Sequence, residues 1–276
     1  MRAPFLAVLV LASFVPASAA SRFEDGAFVE GGAKLVYTLT RPEGAGPFPA
    51  VVLVHGSGEV TRGMMSFLVD EFVSRGVAVL AYDKRGVGRS EGKYSGVGVK
   101  NSDAMISQLA RDASRGMETL SKAAGMDAKR LGFAGGSQAG WIIPPALGMS
   151  RAASFAVILS GPTVTVGEEN RYSDLVEDAP GTVAEGHKDL ETFKGPYGFD
   201  PKPYVRAMTA KTLWLYGAED RSIPALRCLP IFDELKQAGR TNHTVKVYPG
   251  EGHSLGPGIW IDVEAWLRAQ GIVRAR

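Results

Sequence analysis

The sequence predicts an α/β domain: a mostly parallel central sheet of about eight strands, helices on both faces, and one short insertion. Three observations carry this. Several apolar runs of strand length are continuous rather than alternating, which marks strands buried on both faces. Amphipathic helical patterns separate them, as parallel crossovers require. Glycine and polar residues collect where the runs end, and ligands of such sheets bind at the carboxyl ends of the strands.

The elements follow in chain order. "AFVE" (27–30) and "KLVYTLTRP" (34–42) read as a hairpin across Gly31-Gly32. "PAVVLVHG" (49–56) is a buried strand, "MMSFLVDEFVSRG" (64–76) a helix with a glycine stop, and "VAVLAYD" (77–83) another buried strand. "NSDAMISQLARDASRGMETLSKAAG" (101–125) is a long amphipathic helix. "RLGFAGG" (130–136) is a strand that runs into "SQAGWIIPPALGM", a helix. "SFAVILSGP" (154–162), "KTLWLYG" (211–217) and "HTVKVYPG" (243–250) are the later strands, and "GIWIDVEAWLRAQG" (258–271) is a closing helix. Residues from about 163 to about 208 have no strong strand pattern; an unpatterned stretch this long signals function and is expected to be a lid with one or two helices.

Residues 1–20, "MRAPFLAVLVLASFVPASAA", are expected to be a secretory signal peptide: one early arginine, an apolar run, then small residues ending Ala17-Ser18-Ala19. The run is too short to span a bilayer, which takes about 20 residues. The mature chain, 21–276, is then one domain without a membrane span, exported to the periplasm or secreted. A lone cysteine, Cys228, cannot form an internal disulfide and reads as a small buried apolar residue. The 276 residues, 45% apolar and 22% charged, suit one large globular domain. A net charge of +2 without a basic tail implies no polyanion partner, nucleic acid included. No spacing of Cys, His and carboxylates matches a metal site, and no cofactor is expected.

The chemistry is read at the strand ends. Ser137 sits in "GFAGGSQAGW", between a strand and a helix, as a nucleophile on a sharp turn does. The familiar pattern G-x-S-x-G has alanine at its last position here, Ala139, with glycine one place later at Gly140. Tight approach of strand and helix needs small residues, and Gly135, Gly136, Ala139 and Gly140 are all small. A phosphate loop would place Lys-Ser/Thr after its glycines, and this one does not. Serine needs a base, and His253 in "YPGEGHSLG" follows the last strand. His55 reads as structural, and His187 and His243 as surface residues. A carboxylate to orient the base is available as Glu219 or Asp220, after "LWLYG". Backbone N–H groups of Gln138 and of the glycine-flanked Ser57 are the candidate oxyanion donors. Trp141 is a candidate substrate-binding residue, with a core position as the other reading. Arg62, Lys84, Arg85 and Arg89 read as solvated loop cations, or as favouring an anionic substrate.

"LVHGSG", "AYDKRGVGRS", "GFAGGSQAGW", "LYGAEDRSIP" and "YPGEGHS", in that order, resemble the α/β-hydrolase superfamily over nearly all of the mature chain. The resemblance extends to a subgroup of dienelactone-hydrolase-like and acyl-peptidase-like esterases; dienelactone hydrolases carry cysteine at the nucleophile, so their activity is not implied. It implies a triad Ser137, Asp220, His253, with Asp220 matching the acid before "x-x-Ile-Pro", and mainly structural roles for Asp83 and Arg85. The expected activity is hydrolysis of a small-molecule ester or acyl substrate through an acyl-enzyme. Peptide or amide cleavage, acyl transfer, and a non-catalytic binding module are the alternatives.

Overall fold

Alternation between two buried faces explains why the central strands read as unbroken apolar runs. The computed structural model describes residues 22–274, so the expected signal peptide lies outside the described residues. In the strand β3, Phe48–Val54, Ala50, Val52 and Val54 pack into one core while Val51 and Leu53 pack into another. All five are essentially inaccessible to solvent. A strand in that position has no room for a polar residue on either side.

The other strands are β1 (Phe23–Glu30), β2 (Ala33–Thr40), β4 (Ala78–Tyr82), β5 (Met126–Gly136), β6 (Ala153–Leu159), β7 (Lys211–Gly217) and β8 (His243–Tyr248). They form one sheet in the order β1-β2-β4-β3-β5-β6-β7-β8. β2 runs antiparallel to both neighbours, and the pairs from β4 through β8 are parallel. The chain leaves β3 toward β4 on one side and returns to β5 on the other. That reversal opens a crevice beyond the carboxyl ends of β3 and β5, where sheets of this kind bind ligands.

The larger core lies under α2 (Ser102–Ser121), α3 (Ala139–Met149), α6 (Lys202–Ala207), α7 (Ala225–Cys228) and α8 (Pro230–Gln237). The smaller lies under α1 (Ser66–Ser74) and α9 (Ile259–Ala269), with Phe72, Trp260 and Trp266 filling it. Pro230 separates α7 from α8, because it has no N–H to continue a helix and fits the first position of a new one.

The segment between β6 and β7 holds three helices, α4 (Val166–Val176), α5 (Val183–Asp189) and α6, rather than one or two. Two of them start with reciprocal capping boxes, Thr165 with Glu168 and Thr182 with Glu185. Tyr172, Val176 and Leu190 form a third, separate apolar cluster here.

Candidate active site

Ser137 has φ +57°, a left-handed backbone that a side-chain-bearing residue adopts at a cost of about 1–3 kcal/mol. It lies between the last residue of β5 and the first turn of α3. The surrounding glycines explain the sequence pattern. A Cβ on Gly135 would stand 2.4 Å from Val54 O, and one on Gly140 2.5 Å from the Gly161 carbonyl carbon. Ala139 is fully buried, and its Cβ fills space that faces Gly135. Gly140, not position 139, is therefore the place after Ser137 where the β6 loop leaves no room for a methyl group. The displaced glycine of the motif follows the position of that close approach.

Hydrogen bonds tie the elbow to its neighbours. Ser137 N–H donates to Leu159 O at 2.9 Å. The following residue, Ser160, is also left-handed, with φ +46°. Its N–H donates to Leu215 O at 2.8 Å and its Oγ to His253 O at 2.9 Å. The ends of β5, β6 and β7 and the loop after β8 are thus joined in sequence, which brings His253 to the side of the elbow. No hydrogen bond joins Ser137 Oγ to His253 among the described residues; such bonds are often long without substrate.

His253 Nδ1 faces Asp220, 2.9 Å from Oδ2 and 3.2 Å from Oδ1. The Asp220 side chain is fully buried, and Oδ1 also accepts from the N–H groups of Ser222 and Ile223 at 2.9 and 2.8 Å. The carboxylate is locked, so the orientation of the imidazole is locked with it. Of the two carboxylates open in the sequence, Asp220 meets the histidine, while Glu219 is exposed. Burial pulls the His253 pKa down, but the hydrogen bond and charge of Asp220, with Glu177 and Glu169 behind them, outweigh it, and the net shift is upward. Glu169 on α4 is itself pushed up to about 8, by burial and by the charge of Glu177.

On the other side of Ser137 is the loop after β3. A Cβ on Gly56 would lie 3.7 Å from Ser137 Cβ, so this loop abuts the elbow. Ser57 is exposed on it. The N–H groups of Ser57 and of Gln138, at the start of α3, have no acceptor among the described residues. His55 is buried, with Nε2 2.6 Å from Tyr82 O, and burial lowers its pKa to about 3. It is a neutral structural residue.

Trp141 is buried in the larger core, and its indole N–H donates to Val164 O at 2.9 Å. Of the two readings of Trp141, this geometry gives it the core position, fastening α3 to the segment after β6. His187 and His243 are half-buried rather than surface residues. His187 packs on Tyr172 with both ring nitrogens buried and without partners, and His243 Nδ1 lies 2.7 Å from Thr212 Oγ1. Cys228 is buried and receives the Thr163 N–H, and burial pushes its thiol up to about 11.

The loop cations are also not solvated as a group. Arg85 is buried and forks onto both oxygens of buried Asp112, 2.9 Å from Nε to Oδ2. Arg62 pairs with buried Asp83, and only Arg89 of the four is exposed. Lys84 is 0% exposed and sits behind the loop after β3. Sequence reasoning missed it, because lysine almost never reads as a core residue.

Residues 64–262 match the model of the prolyl oligopeptidase family. The chain belongs to that family. The match includes Ser137, Asp220 and His253. The fold is also that of several solved hydrolases. An esterase of Pyrococcus furiosus is 21% identical, with 95% of this chain and 93% of that one covered, at a TM-score of 0.65. Thermogutta terrifontis esterase 2, solved phosphorylated by paraoxon, is 15% identical over 92% and 96%, at 0.64. Acetyl xylan esterase 1 from Thermoanaerobacterium is 19% identical over 91% and 82%, at 0.61.

Proposed function

We propose that the protein is a serine hydrolase of carboxylic esters that works through an acyl-enzyme on Ser137. The observation that carries this is a left-handed Ser137 tied to the end of β6, which also holds the His253 loop, with His253 itself held by a locked, buried Asp220. His253 Nε2 takes the Ser137 hydroxyl proton as Oγ bonds to the substrate carbonyl carbon. The carbonyl oxygen becomes an oxyanion and accepts from the N–H groups of Gln138 and Ser57. Collapse breaks the bond to the leaving alkoxide, which receives the proton from His253. Water then attacks the acyl carbon, gives a proton to His253, and releases the carboxylic acid as Ser137 regains its proton.

Similarity to three esterases supports esters as the substrate class. Membership in a peptidase-named family supports a second reading, cleavage of an aminoacyl amide by the same groups. Export, read from residues 1–20, would place the activity in the periplasm or outside the cell. The segment 163–208 would cover the site as a lid. The test is a panel of p-nitrophenyl esters of increasing acyl length and aminoacyl p-nitroanilides, run beside Ser137→Ala. Ester turnover that vanishes in Ser137→Ala is expected. Full activity in that variant sinks the mechanism, and anilides outrunning esters gives the assignment to the amidase reading.

A further inference from the structure

Lys84 lies at the end of β4, and its aliphatic stem and ammonium are inaccessible to solvent. A lysine in such a place needs partners for its charge. The partners are specific. Nζ donates to Gly56 O at 2.7 Å and to Gly58 O at 2.8 Å, and it lies 3.3 Å from Gln138 Oε1. The Tyr94 ring sits 4.2 Å away and presents its face to the same cation. Burial draws the Lys84 pKa down to about 7. The triad chemistry assigns the group no proton transfer.

Planarity of the peptide unit turns these contacts into a statement about the oxyanion site. Gly56 C=O and Ser57 N–H belong to one peptide unit, and it is trans. In a trans unit the carbonyl and the N–H point in opposite directions. Fixing Gly56 O on Lys84 therefore fixes Ser57 N–H to point away from Lys84. The same ammonium reaches the side chain of Gln138, whose backbone N–H is the other donor. A cation on the carbonyl also withdraws electron density from that peptide unit and makes its N–H a stronger donor.

We propose that Lys84 is a positioning residue for the oxyanion site: by holding Gly56 O, Gly58 O and Gln138 Oε1 together, it aims and polarises the Ser57 N–H. The inference rests on the serine esterase reading. Lys84 touches no substrate atom. Its effect is confined to the state in which the carbonyl oxygen carries charge, so it belongs to kcat and not to substrate affinity.

The experiment compares wild type, Lys84→Met, Lys84→Gln and Ser137→Ala with p-nitrophenyl acetate. Thermal unfolding and affinity for phenylboronic acid, which mimics the tetrahedral adduct, are measured on the same samples. Lys84→Met is expected to lower kcat about 10- to 100-fold, as a misplacement of about 1 Å does, with KM changed less than about threefold. Boronate affinity should fall in parallel with kcat. Lys84→Gln keeps N–H donors without the charge and should recover part of both. It also decides the matter if the methionine variant does not fold. A folded Lys84→Met or Lys84→Gln with kcat and boronate affinity at the wild-type level overturns the proposal, as does a loss confined to KM. Turnover that survives in Ser137→Ala overturns the esterase reading instead.

Discussion

Asp220→Asn is the sharpest perturbation of the site, because the structure dictates how the amide must sit. Oδ1 accepts two backbone N–H groups, from Ser222 and Ile223. Those donors require an oxygen at that position, so the amide oxygen of asparagine takes it. Its NH₂ group is then forced into the place of Oδ2, facing His253 Nδ1, 2.9 Å from it in the native protein. A donor there needs an acceptor on the imidazole. Nδ1 must give up its hydrogen, and the ring hydrogen moves to Nε2. An Nε2 that carries a hydrogen cannot take the Ser137 proton. The expected loss in kcat is about 10⁴-fold, equivalent to about 5.5 kcal/mol at 1.36 kcal/mol per decade. The two backbone bonds survive, so stability should change by no more than about 1 kcal/mol. Stopped-flow and steady-state hydrolysis of p-nitrophenyl acetate read the rate, and urea unfolding reads the fold. Glu219→Gln is the control, expected to stay near wild type because that side chain is exposed. A folded Asp220→Asn protein with kcat within about tenfold of wild type would refute the tautomer argument.

Two further outcomes are expected. Asp112→Ala leaves the Arg85 guanidinium buried with Glu30 O as its remaining acceptor, and should cost about 3–5 kcal/mol in urea unfolding; a loss below about 1 kcal/mol would show the pair to be unimportant. The pH profile of kcat/KM should rise as His253 loses its proton, with that limb above the ordinary histidine value of 6.5 because the net shift is upward. Glu177→Gln removes one of the carboxylates that favour the charged imidazole, so the limb should move to lower pH, and a limb that moves upward contradicts the assignment.

The strands along the chain and the polar residues at their ends were legible because both follow from short-range signals. A run such as Val51–Val54 leaves few options other than a strand covered on both faces, and glycine marks its end. The locations of Ser137 and His253 relative to strand ends were equally local. What the sequence did not disclose depends on pairs far apart in the chain. Arg85 reads as structural through the resemblance, but its partner Asp112 is identified only once α2 lies across the sheet. Lys84 looks solvated until the loops after β3 and β5 close over it. His187 and His243 are partly covered by a ring and a threonine from other elements. The helices α4 and α5 do carry a local signal, the capping boxes Thr165-x-x-Glu168 and Thr182-x-x-Glu185 in "TVGE" and "TVAE".

The separate apolar cluster of Tyr172, Val176 and Leu190 bears on how such an enzyme diversifies. Because α4 and α5 pack on one another, they behave as an inserted cassette with its own centre, joined to the larger core where α4 begins, at Val164 and Val166. The cassette nonetheless keeps a hold on the acid. Tyr172 OH donates to Asp220 O at 2.7 Å, Arg221 reaches Val176 O, and Ser222 Oγ reaches Glu177. A lineage exchanging this cassette to suit a new substrate would be free to redraw most of it. It would have to preserve the few contacts through which the cassette grips the loop of Asp220.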